Sequence, residues 1–329
     1  MNEKEIFLRA EEWLLNELDI AIITVIETWG SSPRPVGSSM IVNLNNEILG
    51  SVSGGCIESF VFAKSLEVIK SNKFQTLEFG VSNSQAWEVG LTCGGRIKVL
   101  VEKFSRNDLE VIKKINKILN NSGKIGLATN LSTGERFVID HDDCSKRNNL
   151  SFSNKESSGI ENINGTNWFH KIFTSQHRII IIGAVHISEP LVMLASVLNF
   201  KTFLIDPRSI IDEEKYKNNS IILNEWPDEG LKKLGIDNKT SIITLTHDPK
   251  LDDPALIYSL RSNALYIGCL GSKKTHQARI KRLIKKGFSE EELEKIHGPI
   301  GLNIHARTPA EIACSIVSEI VLRKNESEI

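Results

Sequence analysis

Two cysteines stand beside paired glycines, in Ser53-Gly54-Gly55-Cys56-Ile57-Glu58 and in Thr92-Cys93-Gly94-Gly95-Arg96. Cys56 comes just before a stretch with helical periodicity, where the positive end of a helix dipole favours the thiolate, the form that binds soft metals or passes on sulfur. Cys56 is therefore a candidate nucleophile and metal ligand, and Cys93 a candidate nucleophile. The unbranched backbone of Gly54, Gly55, Gly94 and Gly95 lets a ligand approach closely. The competing reading is two small buried residues beside turns. With Cys144, Cys269 and Cys314 the chain has five widely spaced cysteines and no CxxC pair, which argues against a disulfide framework or a zinc knuckle.

A second group lies in the other half. The run RIIIIGAVHISEP ends an apolar stretch at Gly183 and opens a helical pattern, and Asp206 follows 23 residues later. Such a turn aims free backbone N–H groups at a phosphate, and an acidic residue after the next strand binds ribose hydroxyls. Val185 stands where close approach of a pyrophosphate wants glycine, which counts against dinucleotide binding. Arg208 offers a fork for an oxyanion or a surface ion pair. Gly268 to Ser272, with Gly271 between, opens a basic helix and forms a second candidate anion site. His247 and Asp248 end a strand and point to opposite faces, so each faces the site separately or not at all.

The elements that must hold these residues divide the chain in two. Residues 1–140 read as an α+β domain: a helix over 3–18, a strand over 19–27, a hairpin about Asn45-Asn46, a helix from Ile57 to Lys70, further strands and a helix from Leu109 to Leu119. Residues 141–175, rich in Asn, Ser and charge in their first part, read as a linker or flexible excursion. Residues 176–329 alternate apolar strands with helices at Ile187–Asn199, Pro254–Arg261, Lys273–Lys286, Glu290–Ile296 and Pro309–Lys324. That alternation is the pattern of a Rossmann-like doubly wound parallel sheet, so the fold class is α/β. Ser289 with Glu292, and Thr308 with Glu311, mark helix starts.

Forty basic and forty-one acidic residues leave a net charge of -1, so nothing global draws the chain to nucleic acid or an anionic membrane. With no long apolar run and no basic, apolar leader, the expected location is the cytoplasm.

The ordered motifs ETWGSSPRPVGSSM, GSVSGGCIE, LTCGGRIKVLVE, IIGAVHIS, LIDPR, LTHDPKLDDPAL, YIGCLGSKKTHQAR and HGPIGLNIHARTPAEIACSIVSEI resemble the xanthine dehydrogenase accessory factor family, XdhC and CoxI, over most of the chain. The resemblance implies a cytosolic chaperone that holds the molybdenum cofactor, a molybdopterin, during sulfuration and passes it to xanthine dehydrogenase or a related molybdenum hydroxylase. Carried over by motif, the family's cysteines are Cys56 and Cys93, and its residues at the Rossmann turn are Gly183, His186, Asp206 and Arg208. Val185 departs from the family's usual glycine.

The reading that follows places the pterin phosphate against helix N-termini of the Rossmann half and the metal end near the cysteines, in a cleft between the lobes. A cysteine desulfurase is an expected partner, and a homodimer follows from base rates. The alternative is an NAD(P)-dependent oxidoreductase, supported by the strand pattern and Asp206. A third is a pure docking protein that keeps no cofactor.

Overall fold

The computed structural model describes residues 3–30, 34–80, 95–120, 123–139, 157–208 and 212–327. The chain forms two compact units, Met1–Ser175 and Gln176–Ile329.

In the first unit the sequence Ile20–Trp29 (β1) is apolar at nearly every position and is buried on both faces. Ile20 and Ile22 pack against helices Glu3–Leu15 (α1) and Leu109–Asn120 (α3), whereas Ala21, Ile23 and Val25 pack against Glu58–Ser71 (α2). Each such isoleucine contributes about 1.5–3 kcal/mol by leaving water. β1 pairs antiparallel with Ser39–Asn43 (β2) and Arg96–Phe104 (β5) in a five-stranded sheet of order β3-β2-β1-β5-β4, where β3 is Ile48–Gly50 and β4 Gln75–Phe79.

A second antiparallel sheet has the order β7-β6-β9-β8: Arg136–Ile139, Lys124–Asn130, Thr166–Thr174 and Gly159–Ile163. The last two strands overturn part of the expected linker. Residues 159–174 form a hairpin of this sheet, in which Asn164 and Gly165, at φ 51 and 81, turn β8 into β9. Two left-handed residues in succession are the chemistry of a tight hairpin. Phe169 and Phe173 then bury one face of β9. Residues 140–156 of the expected excursion lie outside the described residues.

The second unit is a six-stranded parallel sheet of order β12-β11-β10-β13-β14-β15. The strands are Arg178–Ile182 (β10), Lys201–Ile205 (β11), Ile221–Leu223 (β12), Thr240–Thr244 (β13), Tyr266–Cys269 (β14) and Ile296–His297 (β15). Along β10, Ile179 and Ile181 face Ser188–Val197 (α4) and Pro309–Ser327 (α9), and Ile180 and Ile182 face Pro227–Leu234 (α5) and Pro249–Leu260 (α6). Helices on both faces explain why this strand is apolar from Ile179 to Ile182. The sheet winds one way from β10 to β12 and the other way from β13 to β15, so the chain changes direction beside β10. Crevices at that change, at the carboxyl ends of the strands, are where such sheets bind ligands.

Three helices depart from the sequence reading. α5 lies where none is expected, although Pro227 at its start, Asp228 and Glu229 in its first turn and Lys232 and Lys233 in its last are its signals. α6 begins at Pro249, before the expected Pro254, because the Asp248 side chain accepts from the Lys250 N–H and caps it. The helix after Ser289 (Glu290–Leu293, α8) ends early, and Ile296 joins β15. The capping pairs Ser289/Glu292 and Thr308/Glu311 both form.

Candidate functional site

Gly183 ends β10 with φ +105, and a Cβ there would lie 2.3 Å from Thr246 Cγ2. Only glycine lets the chain turn this close to the end of β13. The turn is then closed by Ser188, whose Oγ donates to the Gly183 carbonyl at 2.7 Å and accepts the Val185 N–H at 2.9 Å. Ala184 N–H is given to Asp206 Oδ2 at 2.8 Å. The next two amides, of His186 and Ile187, have no hydrogen-bond partner among the described residues. The expected anion-facing amides are thus displaced along the turn to the start of α4.

Beside this turn, at the ends of β10 and β11, lies a cavity of about 380 Å³. Ala184, Val185 and His186 form one wall, Asp206 and Arg208 another, and Glu189, Asp212, Lys215 and Tyr216 complete it. Val185, the departure from the glycine pattern, is part of the lining. Asp206 is 1% exposed. Burial opposes its charge, but the Arg208 guanidinium and the amides of Ala184 and Arg208 outweigh that and hold its carboxyl below the ordinary aspartate range. Arg208 Nε reaches Oδ1 at 2.8 Å and Nη2 reaches Oδ2 at 2.5 Å, while the Arg208 amide donates to Oδ1 at 3.0 Å. With the Ala184 amide, four donors fill the four acceptor sites of the carboxylate. The expected ribose-hydroxyl bonds to Asp206 therefore find no free lone pair in this arrangement.

Of the residues singled out in the sequence, Gly183, His186, Asp206 and Arg208 come together here. His247, exposed and at φ 61, lies on the loop after β13. Gly268 is buried in β14 against Tyr266 and Ile300, Gly271 turns at φ +141, and Ser272 caps Lys273–Ile284 (α7) by accepting the Thr275 N–H. None of these four lines the cavity. Glu189, in the first turn of α4, and Asp212, Lys215 and Tyr216, beyond β11, also line the cavity and escape the sequence reading, since no local motif marks them.

In the first unit the Gly-rich loop before α2 is organised around Glu58, a residue to which the sequence reading gives no role. Glu58 Oε1 accepts from Ser51 Oγ at 2.7 Å, Val52 N at 3.2 Å and Ser53 N at 2.9 Å. Its Oε2 accepts from Ser53 Oγ at 2.5 Å and Gly55 N at 2.9 Å. Burial would raise its pKa, but these bonds prevail and bring it down to about 2. The Gly54 amide goes to Ser51 Oγ at 2.9 Å, so both glycine amides are spent inside the loop. Cys56 sits half-buried between pinned neighbours, against the core under α2. Gly95 is buried at the start of β5, and Cys93, Gly94 and Cys144 lie outside the described residues. Cys269 is buried, which pushes its thiol up to about 11, and Cys314 is exposed.

Among the described residues no group of three or more His, Cys, Asp or Glu could hold a metal ion. Among the described residues Cys56 stands as a single soft donor. The cavity lining carries both signs: Arg208, paired with Asp206 and 45% exposed at its side chain, and Lys215, 3.8 Å from Asp212, stand with Glu189, and the His186 amide has no partner among the described residues. No helix among the described residues is long and apolar enough to cross a membrane.

A parallel sheet with this strand order and a cavity beyond its first crossover defines a Rossmann-type ligand-binding unit joined to an α+β unit. Residues 179–320 match the XdhC Rossmann domain and residues 13–80 match the XdhC and CoxI family. The chain belongs to that family. It is 26% identical over 313 residues to the molybdenum cofactor insertion chaperone PaoD of Escherichia coli K12, covering 94% of this chain and 85% of that protein. It is 23% identical to a Bacillus subtilis 168 protein named as a probable xanthine dehydrogenase subunit, covering 94% of each. A crystal structure of a xanthine dehydrogenase from Bacillus halodurans superposes with a TM-score of 0.75 at 24% identity, over 97% of this chain and 96% of that one, and shares its fold.

Proposed function

We propose that this protein is a molybdenum-cofactor chaperone: it holds the cofactor and hands it to xanthine dehydrogenase or a related molybdenum hydroxylase. The observation that carries the reading is the full-length likeness to a relative named as a molybdenum cofactor insertion chaperone. The cavity supports it through two donors that a phosphate would use, the half-exposed side chain of Arg208 and the amide of His186. Cys56 would face the metal end, as shield or sulfur relay, with Cys93 as its companion. Exchange of sulfur would bring a cysteine desulfurase as second partner, and we assign the protein to the cytoplasm on the same reading.

An NAD(P)-dependent oxidoreductase is the weaker reading. Val185 stands where close approach of a pyrophosphate wants glycine, and the NAD form needs ribose hydroxyls on Asp206, whose oxygens are already filled. The test is mass spectrometry of the small molecule that copurifies under anaerobic conditions, followed by titration with molybdenum cofactor. A molybdopterin species is expected in the wild type and its loss in Cys56→Ala. A nicotinamide dinucleotide in its place would overturn the proposal, and unchanged retention in Cys56→Ala would remove Cys56 from it.

A further inference from the structure

The carboxylates of the cavity beside the glycine turn differ in how they are partnered, and that difference decides what the cavity can receive. Asp206 is filled by Arg208 Nε at 2.8 Å, by Nη2 at 2.5 Å and by the amides of Ala184 and Arg208. Asp212 lies 3.8 Å from Lys215 Nζ. Glu189, half-buried in the first turn of α4, lines the same cavity and has no hydrogen bond or ion pair from its side chain among the described residues. The Tyr216 hydroxyl is held above its ordinary pKa by burial first and then by Glu189, Asp206 and Asp212, so it stays a donor and the Glu189 charge reaches it. An unpaired carboxylate partly shut away from water calls for donors from the ligand. Arg208 and Lys215 in the lining oppose a cation there, although Asp248 and Asp252, outside it, offset part of the Arg208 charge. Ala184, Val185 and the Tyr216 ring give the cavity an apolar side, which suits a flat neutral ring with N–H donors on its edge better than a hydrated cation.

We propose that Glu189 is the specificity-determining residue of this cavity and binds the aminopyrimidinone edge of a bicyclic ring, the edge that pterin and guanine share. On that edge the amino group and the adjacent ring N–H point the same way, so each donates to one oxygen of a carboxylate. Where a carbonyl replaces the amino group, an oxygen faces an oxygen, and one bond turns into a repulsion. The inference rests on the reading that the Rossmann unit holds the pterin of the cofactor, and it names the residue that recognises the ring.

Pterin and lumazine test it, since lumazine is the same bicycle with a carbonyl where pterin carries the amino group. Fluorescence titration of the full chain, at a pH where both rings are neutral, should show pterin binding about tenfold or more tightly. Glu189→Gln keeps the size and turns one acceptor into a donor, so it should erase or reverse that order, whereas Glu189→Asp should keep its direction. Glu214→Gln, at an exposed acid outside the lining, should leave the preference intact. Thermal melting of each variant checks that it is folded. Guanosine against inosine repeats the contrast on a purine: tighter binding of guanosine than of pterin assigns the edge to a nucleotide part of the ligand, and the opposite order assigns it to the pterin. Equal affinity of the wild type for pterin and lumazine, no binding of either, or an unchanged preference in Glu189→Gln would each overturn the proposal. Cofactor retention without ring preference refutes this inference and leaves the chaperone reading standing. Ring preference without cofactor retention does the reverse.

Discussion

Replacing Glu58 by glutamine should loosen the loop that presents Cys56, by an amount the structure sets. The carboxylate collects five donors, three on Oε1 and two on Oε2. In glutamine one of those oxygens becomes an NH2 that cannot accept, so at least two donors lose their partner. The fall from the ordinary 4.5 to about 2 corresponds at face value to about 3 kcal/mol at neutral pH. Gly54 and Gly55 are exposed beside the carboxylate, and screening by water lowers the expected loss to about 1–2 kcal/mol.

The sign follows from the direction of the shift. A depressed carboxyl pKa stabilises the fold above the unfolded value near 4.5, and that contribution disappears as pH falls towards about 2. Urea unfolding of wild type and Glu58→Gln from pH 7 to pH 2 should give a gap of about 1–2 kcal/mol at neutral pH that narrows below pH 4.5. Alkylation of Cys56, followed by peptide mass spectrometry, should change rate in the variant, because Gly55 and Ile57 are tied to the same Ser53 and Glu58 network. A gap independent of pH, or a variant as stable as wild type at pH 7, would refute the argument that the charged carboxylate organises the loop.

Gly183→Ala should destabilise the second unit by about 2–4 kcal/mol, from the positive φ and the 2.3 Å contact with Thr246 Cγ2. Adding Thr246→Ser removes that methyl and should recover part of the loss in urea unfolding. Glu319 accepts from Tyr266 Oη at 2.5 Å and Gly301 N at 2.6 Å and pairs with His297 Nδ1 at 2.9 Å. Burial opposes its charge, but His297, Tyr266 and Gly301 hold its carboxyl below the ordinary range, so its stabilisation is present at neutral pH and is lost as pH falls below that range. Glu319→Ala should speed amide exchange in the loop after β15 and in α9. Cys269, with its buried thiol raised to about 11, should resist alkylation in the native protein at pH 7.5, while exposed Cys314 reacts within the same experiment.

Much of this molecule is legible from pattern alone. The four isoleucines of β10 stand in succession because helices cover both faces, and such a run points to a parallel sheet before any coordinate is known. The capping pairs at Ser289 and Thr308 are equally local, each being a hydroxyl and a carboxylate three residues apart. The hairpin of β8 and β9 is legible too, in Asn164-Gly165, but the polar residues before it mask the signal and read as a linker. α5 is hidden for a related reason: its apolar face is short, and its charge pattern is the stronger sign.

The parallel sheet, the glycine turn at its first crossover and the family are written in the order of residues, because each depends on neighbours along the chain or on ordered motifs. Whether Asp206 is open to a ligand was decided only by tertiary structure. A carboxylate two residues from an arginine can face solvent, a substrate or that arginine, and the choice depends on where the Ala184 amide and the end of β11 meet in space. The same holds for Glu58: its carboxylate occupies the place where bare glycine amides would otherwise receive an anion, and only folding of the loop back onto the start of α2 brings it there.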